Sequence, residues 1–163
     1  MAFYPIEARI GFQPIANTET SAQVALGTIV RAVDPTYGAG EFIYLKGVAS
    51  TAVGSWVTYN SDDFSTALLA ANAIGPVAIA MSANVANQYG WYQIQGKAVG
   101  LVASGFVDNA NVYATATAGT VDDAVVAGDR VKGAVGASAI GTPAAGQAEF
   151  EIARPFMDDA VAA

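Results

Sequence analysis

"YGWYQIQGKAVG", residues 89–100, decides how this chain folds. It holds two tyrosines, a tryptophan, two glutamines and a lysine, with no acid to interrupt them. Successive side chains of an extended strand face opposite ways. Tyr92, Ile94, Gly96 and Ala98 therefore share one face, and Trp91, Gln93, Gln95 and Lys97 share the other. The first face reads as core. The second reads as exposed, or as an interface.

Outward from this strand the chain continues as short strands and turns. Glycine occurs 17 times, spaced like turn punctuation. "VALGTIVRAV" (24–33), "EFIYLKGV" (41–48), "SWVTYN" (55–60) and "PVAIAMSA" (76–83) have the apolar and β-branched content of strands. "NVYATATAG" (111–119), "GDRVKGAVGAS" (128–138) and "QAEFEIARPF" (147–156) follow downstream. "DPTYGAG" (34–40) is a turn, begun by Asp34-Pro35 and loosened by Gly38 and Gly40. In the 41–48 strand Phe42 and Tyr44 share a side opposite Ile43 and Leu45. Pro155 lacks a ladder donor and places the end of the last strand at a sheet edge. "FSTALLAANA" (64–73) is the best helix candidate, capped by Asp62 or Asp63 and ended by Gly75-Pro76, though a strand and loop fit it as well. The fold class is thus all-β: a β-sandwich or small β-barrel of about eight short strands with at most one or two short helices.

Residues 1–22 read as an extended N-terminal arm, 23–156 as the β-rich domain and 157–163 as a C-terminal tail. The arm carries Phe3, Tyr4, Ile6 and Phe12, with Arg9 among them, in a segment too irregular to fold alone. It must dock, either on its own domain or as a strand added to a partner.

Composition narrows the chemistry. The 163 residues fit one domain, and 53% are hydrophobic. Much of that fraction is alanine, which points to thin layers and not one thick core. The net charge of -7 sets 14 acids against 7 bases spread along the sequence, which argues against nucleic-acid binding. Such an acidic surface favours solubility at high copy number. There is no cysteine and no histidine. A thiolate nucleophile, a Cys or His metal site and a histidine-activated serine are excluded. "MAFYPIEARIG" has no basic segment followed by an apolar run, so no secretory signal is expected, and the alanine-rich stretch 65–86 is a poor membrane span because Gly75-Pro76, Asn72 and Asn84 break it. No phosphate-binding glycine motif is present.

The acids Asp62-Asp63, Asp122-Asp123 and Asp158-Asp159 are sequence neighbours. Strand geometry would send neighbours to opposite faces, so they read as solvated turn acids and not as a catalytic or calcium site. No cofactor, metal or catalytic residue is expected. Trp56, Tyr59, Tyr89, Trp91, Tyr92 and Tyr113 could stack on sugars or bases, but they equally suit a core or a protein interface.

Several phrases together resemble the capsid decoration, or cement, proteins of tailed bacteriophages. They are Gly40-Glu41-Phe42-Ile43-Tyr44-Leu45, Tyr89-Gly90-Trp91 leading to Gln95-Gly96-Lys97-Ala98, and Thr117-Ala118-Gly119 ahead of an acidic turn. The likeness runs from about residue 23 to 156. It implies a non-enzymatic virion protein, made in the host cytoplasm, that binds the outer surface of the head. Its partners would be the major capsid protein and itself, as a homotrimer or homodimer, with no nucleic acid and no membrane. Phe3, Tyr4, Ile6, Arg9 and Phe12 are the candidate capsid-gripping residues, and Trp91, Gln93 and Gln95 the candidate subunit interface. Two other classes stay open: a virion-displayed carbohydrate- or host-binding β module, and a glycoside hydrolase using two carboxylates.

Overall fold

A computed structural model describes residues 13–157 and the backbone of a two-residue strand, β1 (Tyr4–Pro5). Phe3, Ile6, Arg9 and Phe12 lie outside the described residues, as does the tail beyond Met157. Every regular element among the described residues is a strand. After β1 come β2 (Thr18–Glu19), β3 (Ile29–Asp34), β4 (Gly38–Lys46), β5 (Trp56–Tyr59) and β6 (Thr66–Leu68). Then follow β7 (Gly75–Ala80), β8 (Tyr89–Leu101), β9 (Asn111–Ala114), β10 (Val121–Asp122), β11 (Arg130–Gly136) and β12 (Gln147–Met157). The all-β expectation holds, with more and shorter strands than the sequence signals.

The thirteen-residue β8 organises the molecule. Its first half pairs with β4, from Lys46↔Tyr89 to Glu41↔Gln95, and with β7 at Ile79↔Gln93 and Ala80↔Tyr92. Its second half pairs with β12, from Ala153↔Gln95 to Gln147↔Leu101. β12 then leaves β8 and pairs its end with β7, Phe156↔Pro76 and Met157↔Gly75. Three strands that are all antiparallel to one another cannot lie in one flat sheet, so the ladder bends where partners change. β8 bends at Gly96, whose φ of +102° and 2.6 Å approach of a would-be Cβ to the Ala39 carbonyl admit only glycine. β12 bends at Arg154, with φ +46°, opposite Gly133 at φ +75°.

The bends curl the sheet into two rings that share β8. One runs β4–β8–β7–β5–β6 and returns to β4 through a parallel bridge, Lys46↔Ser65. The other runs β8–β12–β11–β9–β10 and returns through Val102↔Val121, where the Ala103 amide donates to the Val121 carbonyl at 2.8 Å. Closure leaves few unpaired edges. The cores follow the rings. Ile43, Leu45, Val57, Ala78, Ala80, Tyr92 and Ile94 fill the first. The second is built round Phe106, Phe150, Val112, Val131 and Ile152, with Trp56 packed edge-on against Phe150 at 4.9 Å. A third cluster lies on the other face of β4 and β8, where Phe42, Tyr44 and Trp91 meet Ile15, Val30 and Met81.

Three expectations change here. "FSTALLAANA" is not a helix. Phe64 takes φ +56°, Thr66–Leu68 joins β5 through Val57↔Leu68 and Tyr59↔Thr66, and the Leu69 amide donates to the Trp56 carbonyl. A ten-residue helix is marginal alone, and a waiting strand edge outweighs its propensity. Pro155 is not at an edge. It sits in the bulge where β12 passes from β8 to β7, the other place a strand tolerates a residue without an N–H. The Asp34 turn is tighter than expected: Asp34 Oδ1 accepts from the amides of Thr36 (2.7 Å) and Tyr37 (3.0 Å), and residues 38–40 already pair with β3 as the start of β4.

Candidate interaction face

The two faces of β8 do not divide as the sequence suggests. Tyr92 and Ile94 are core, as expected, but Trp91 and Gln93 are also fully buried. For Trp91 the reason is the third cluster. Residues of the expected arm fold back over this face: Ile15 is buried in it, and Thr18–Glu19 pairs with β8 through Thr18↔Gly90 and Glu19↔Tyr89. Val24 and Leu26 pack on the same cluster. Trp91 lies 4.9 Å from the Tyr44 ring, inside the chain and out of a partner's reach. Gln93 serves the bend: its Nε2 donates to the carbonyls of Gln95 (3.2 Å) and Lys97 (3.1 Å). The described part of the arm thus docks on its own domain, and β1 adds to β3 through Tyr4↔Val33 and Pro5↔Ala32. The apolar spacing of Ile15, Val24 and Leu26 was the available signal, masked by the irregular turns between them.

Gln95, by contrast, is exposed. Directly opposed residues on neighbouring strands project to one side. One row therefore runs Arg31, Glu41, Gln95, Ala153 across β3, β4, β8 and β12. A second runs Lys97, Glu151, Val135, Asn111 across β8, β12, β11 and β9. Between them the bends open a groove of about 560 Å³ lined by Gln95, Gly96, Lys97, Arg130, Val135 and Glu151, among others.

Charge on this face is dense and mutually held. The Lys97 ammonium contacts Glu149 at 2.6 Å and lies 5.7 Å from the centre of the Tyr37 ring. The Glu149 hydrogen bond raises the Lys97 pKa, against a smaller lowering by burial. Burial first, then the Glu149 carboxylate, raise the Tyr37 hydroxyl. Arg154 reaches Glu41 at 2.7 Å, and Arg130 donates to Asn111 Oδ1 at 2.8 Å. Arg31, Lys97, Arg130 and Arg154, four of the chain's seven bases, thus gather where the linear sequence shows them scattered. Glu41, Glu149 and Glu151 interleave them, so the face is an alternating mosaic and not a phosphate track. Alternating charge round a small-residue groove offers directional, charge-complementary contact groups.

The other sequence-level candidates separate cleanly. Trp56, Trp91 and Tyr92 are fully buried and Tyr113 nearly so, which removes four of the six aromatics from any stacking role. Tyr59 and Tyr89 stay partly exposed. The paired acids work in turns: Asp63 Oδ1 accepts from the amide and the hydroxyl of Ser65, and Asp123 Oδ2 accepts from the Val107 amide. Asp158 and Asp159 lie outside the described residues. Among the described residues no group of three or more acids comes together as a metal site. No helix of the described residues is long and apolar enough to cross a membrane. No protein-family model, curated protein or solved structure matches the chain.

Proposed function

We propose that this protein is a structural virion component that binds the outer surface of a tailed-phage head and bridges neighbouring capsid subunits. The observation that carries the reading is the mosaic face across β3, β4, β8, β12 and β11, set on a doubly buried sheet. A rigid sheet holds its contact groups in place, so little ordering entropy is lost on docking. The phrases resembling cement proteins form β4, β8 and the turn before β10. A single contact burying roughly 300 Å² of apolar area yields only about 7 kcal/mol before association costs. An oligomer that engages several capsid subunits multiplies such a contact through effective concentration.

Binding to empty heads, read as occupancy against concentration, tests this. Arg130→Glu and Gln95→Arg alter exposed side chains at the groove and should each weaken binding roughly tenfold, about 1.4 kcal/mol. The Arg130→Glu loss should shrink as salt rises. Removing residues 1–12 should weaken binding further if the arm grips the capsid. Wild-type protein that leaves heads bare at saturation overturns the proposal. So do two groove variants and a truncation that all bind like wild type.

A further inference from the structure

A second cavity, of about 550 Å³, shares no lining residue with the mosaic groove and lies between the β5–β6 turn and the start of β7. Its chemistry is different. Thr58 and Ser61 bring hydroxyls, Asn60 an amide and Asp62 a carboxylate, the Thr66 hydroxyl being spent on the Lys46 carbonyl at 2.8 Å, and none of the residues lining it is Lys or Arg. Tyr59 and Ile74 add apolar surface, and Ile74 is 69% exposed, unusually open for a large aliphatic side chain. Arg154, the base whose charge reaches the Tyr59 hydroxyl, is held by Glu41 at 2.7 Å.

The wall is set in advance. Asn60 donates its amide to the Ser65 carbonyl (3.0 Å) and accepts from the Phe64 amide at its own carbonyl (2.9 Å). Asn60 Oδ1 takes the Asp62 amide at 2.8 Å. Asp63 is committed to Ser65, whereas none of the described residues hydrogen-bonds the Asp62 carboxylate.

We propose that this cavity binds a neutral saccharide. Sugar hydroxyls both donate and accept, which matches a lining of hydroxyls, an amide and a carboxylate. The C–H face of a pyranose needs an apolar neighbour, and Tyr59 and Ile74 supply one in a cavity that the buried aromatics cannot. The Asp62 carboxylate, with no cation in the lining, disfavours anionic sugars, phosphates and nucleic acid. The cavity shares no lining residue with the groove of the mosaic face, so different substitutions test it and capsid binding.

Amide spectra of the full chain, titrated with methyl glucoside, methyl galactoside and N-acetylglucosamine, test it, with N-acetylneuraminic acid as the acidic arm. At least one neutral sugar should shift amides confined to residues 58–76, with a Kd of about 1–10 mM, the weak range expected of a monosaccharide. Asp62→Ala and Ile74→Ser change exposed side chains and should each weaken that binding about fivefold or more, with head occupancy unchanged. Silence from every neutral sugar overturns the proposal, as do undiminished shifts in both variants or tighter binding of the acidic sugar.

Discussion

Gly100 has no side chain because two buried rings occupy the space. A Cβ there would stand 2.5 Å from Trp56 Nε1 and 3.2 Å from the Phe150 ring. Both rings are fully buried and pack against each other, so neither can retreat cheaply. Gly100→Ala should destabilise the fold by about 1–3 kcal/mol in urea unfolding, the range for overpacking a filled core. Trp91 makes the complementary case. Its burial against Tyr44 gives Trp91→Ala an expected loss of about 3–5 kcal/mol. The same substitution would make a poor binding control, because any loss of affinity would follow the loss of fold. A Trp91→Ala protein with wild-type stability would contradict the third core cluster.

At the scale of elements, the boundary between arm and body lies nearer the N-terminus than composition suggests. Ile15 and the β2–β8 pairing belong to the body, whereas β1 touches it through two residue pairs. Truncation of residues 1–12 should leave the thermal midpoint within a few degrees of wild type, corresponding to about 1 kcal/mol or less. Truncation of 1–22 strips one cover from Tyr44 and Trp91 and should both lower the midpoint markedly and raise dye binding to exposed apolar surface. Equal stability of the two truncated chains would show that the segment after residue 12 is no part of the core.

For the whole molecule, titration is lopsided toward high pH. Burial raises Tyr92, with hydrogen bonds from Thr66, Asn84 and Thr51 lowering it in part, and burial likewise raises Tyr59 and Tyr37. Lys97 is raised by its Glu149 hydrogen bond. In each case the folded chain holds its proton more tightly than the unfolded chain. That stability is fully present below the unfolded values, about 10 for Tyr and 10.4 for Lys, and falls as pH rises through the folded ones. Urea midpoints should therefore hold up to about pH 10 and drop as pH rises beyond it, with the last tyrosine absorbance change at 295 nm coinciding with unfolding. An unchanged midpoint above that pH contradicts the assignment. On the acid side Asp63 is lowered, first by the Ser65 hydroxyl hydrogen bond. Its contribution is present above the unfolded value of about 3.9 and is lost as pH falls through the folded one, locally in an exposed loop.

The sequence alone determined the class of fold and most of its strands. Period-two apolar patterns and glycine punctuation are local signals: β5, β9 and β11 fall within the stretches that carry them, β3, β7, β8 and β12 overrun theirs by one residue, and β4 starts three residues early, at Gly38. It also determined which chemistries the chain lacks residues for, since a missing cysteine or histidine needs no coordinates to read. Tertiary structure decided the rest. Strands of two or three residues carry no period, so β1, β2, β6 and β10 exist only because an edge awaited them. A strand shows its alternation but not how many layers cover it, and so Trp91 reads as surface until Ile15 and β2 close over its face. The gathering of four bases on one face, and the cavity beside Asp62, follow from bends at Gly96 and Arg154 and from a turn at Asn60. Those bends join residues far apart in the chain, and no local pattern encodes which distant strand a bent one will meet.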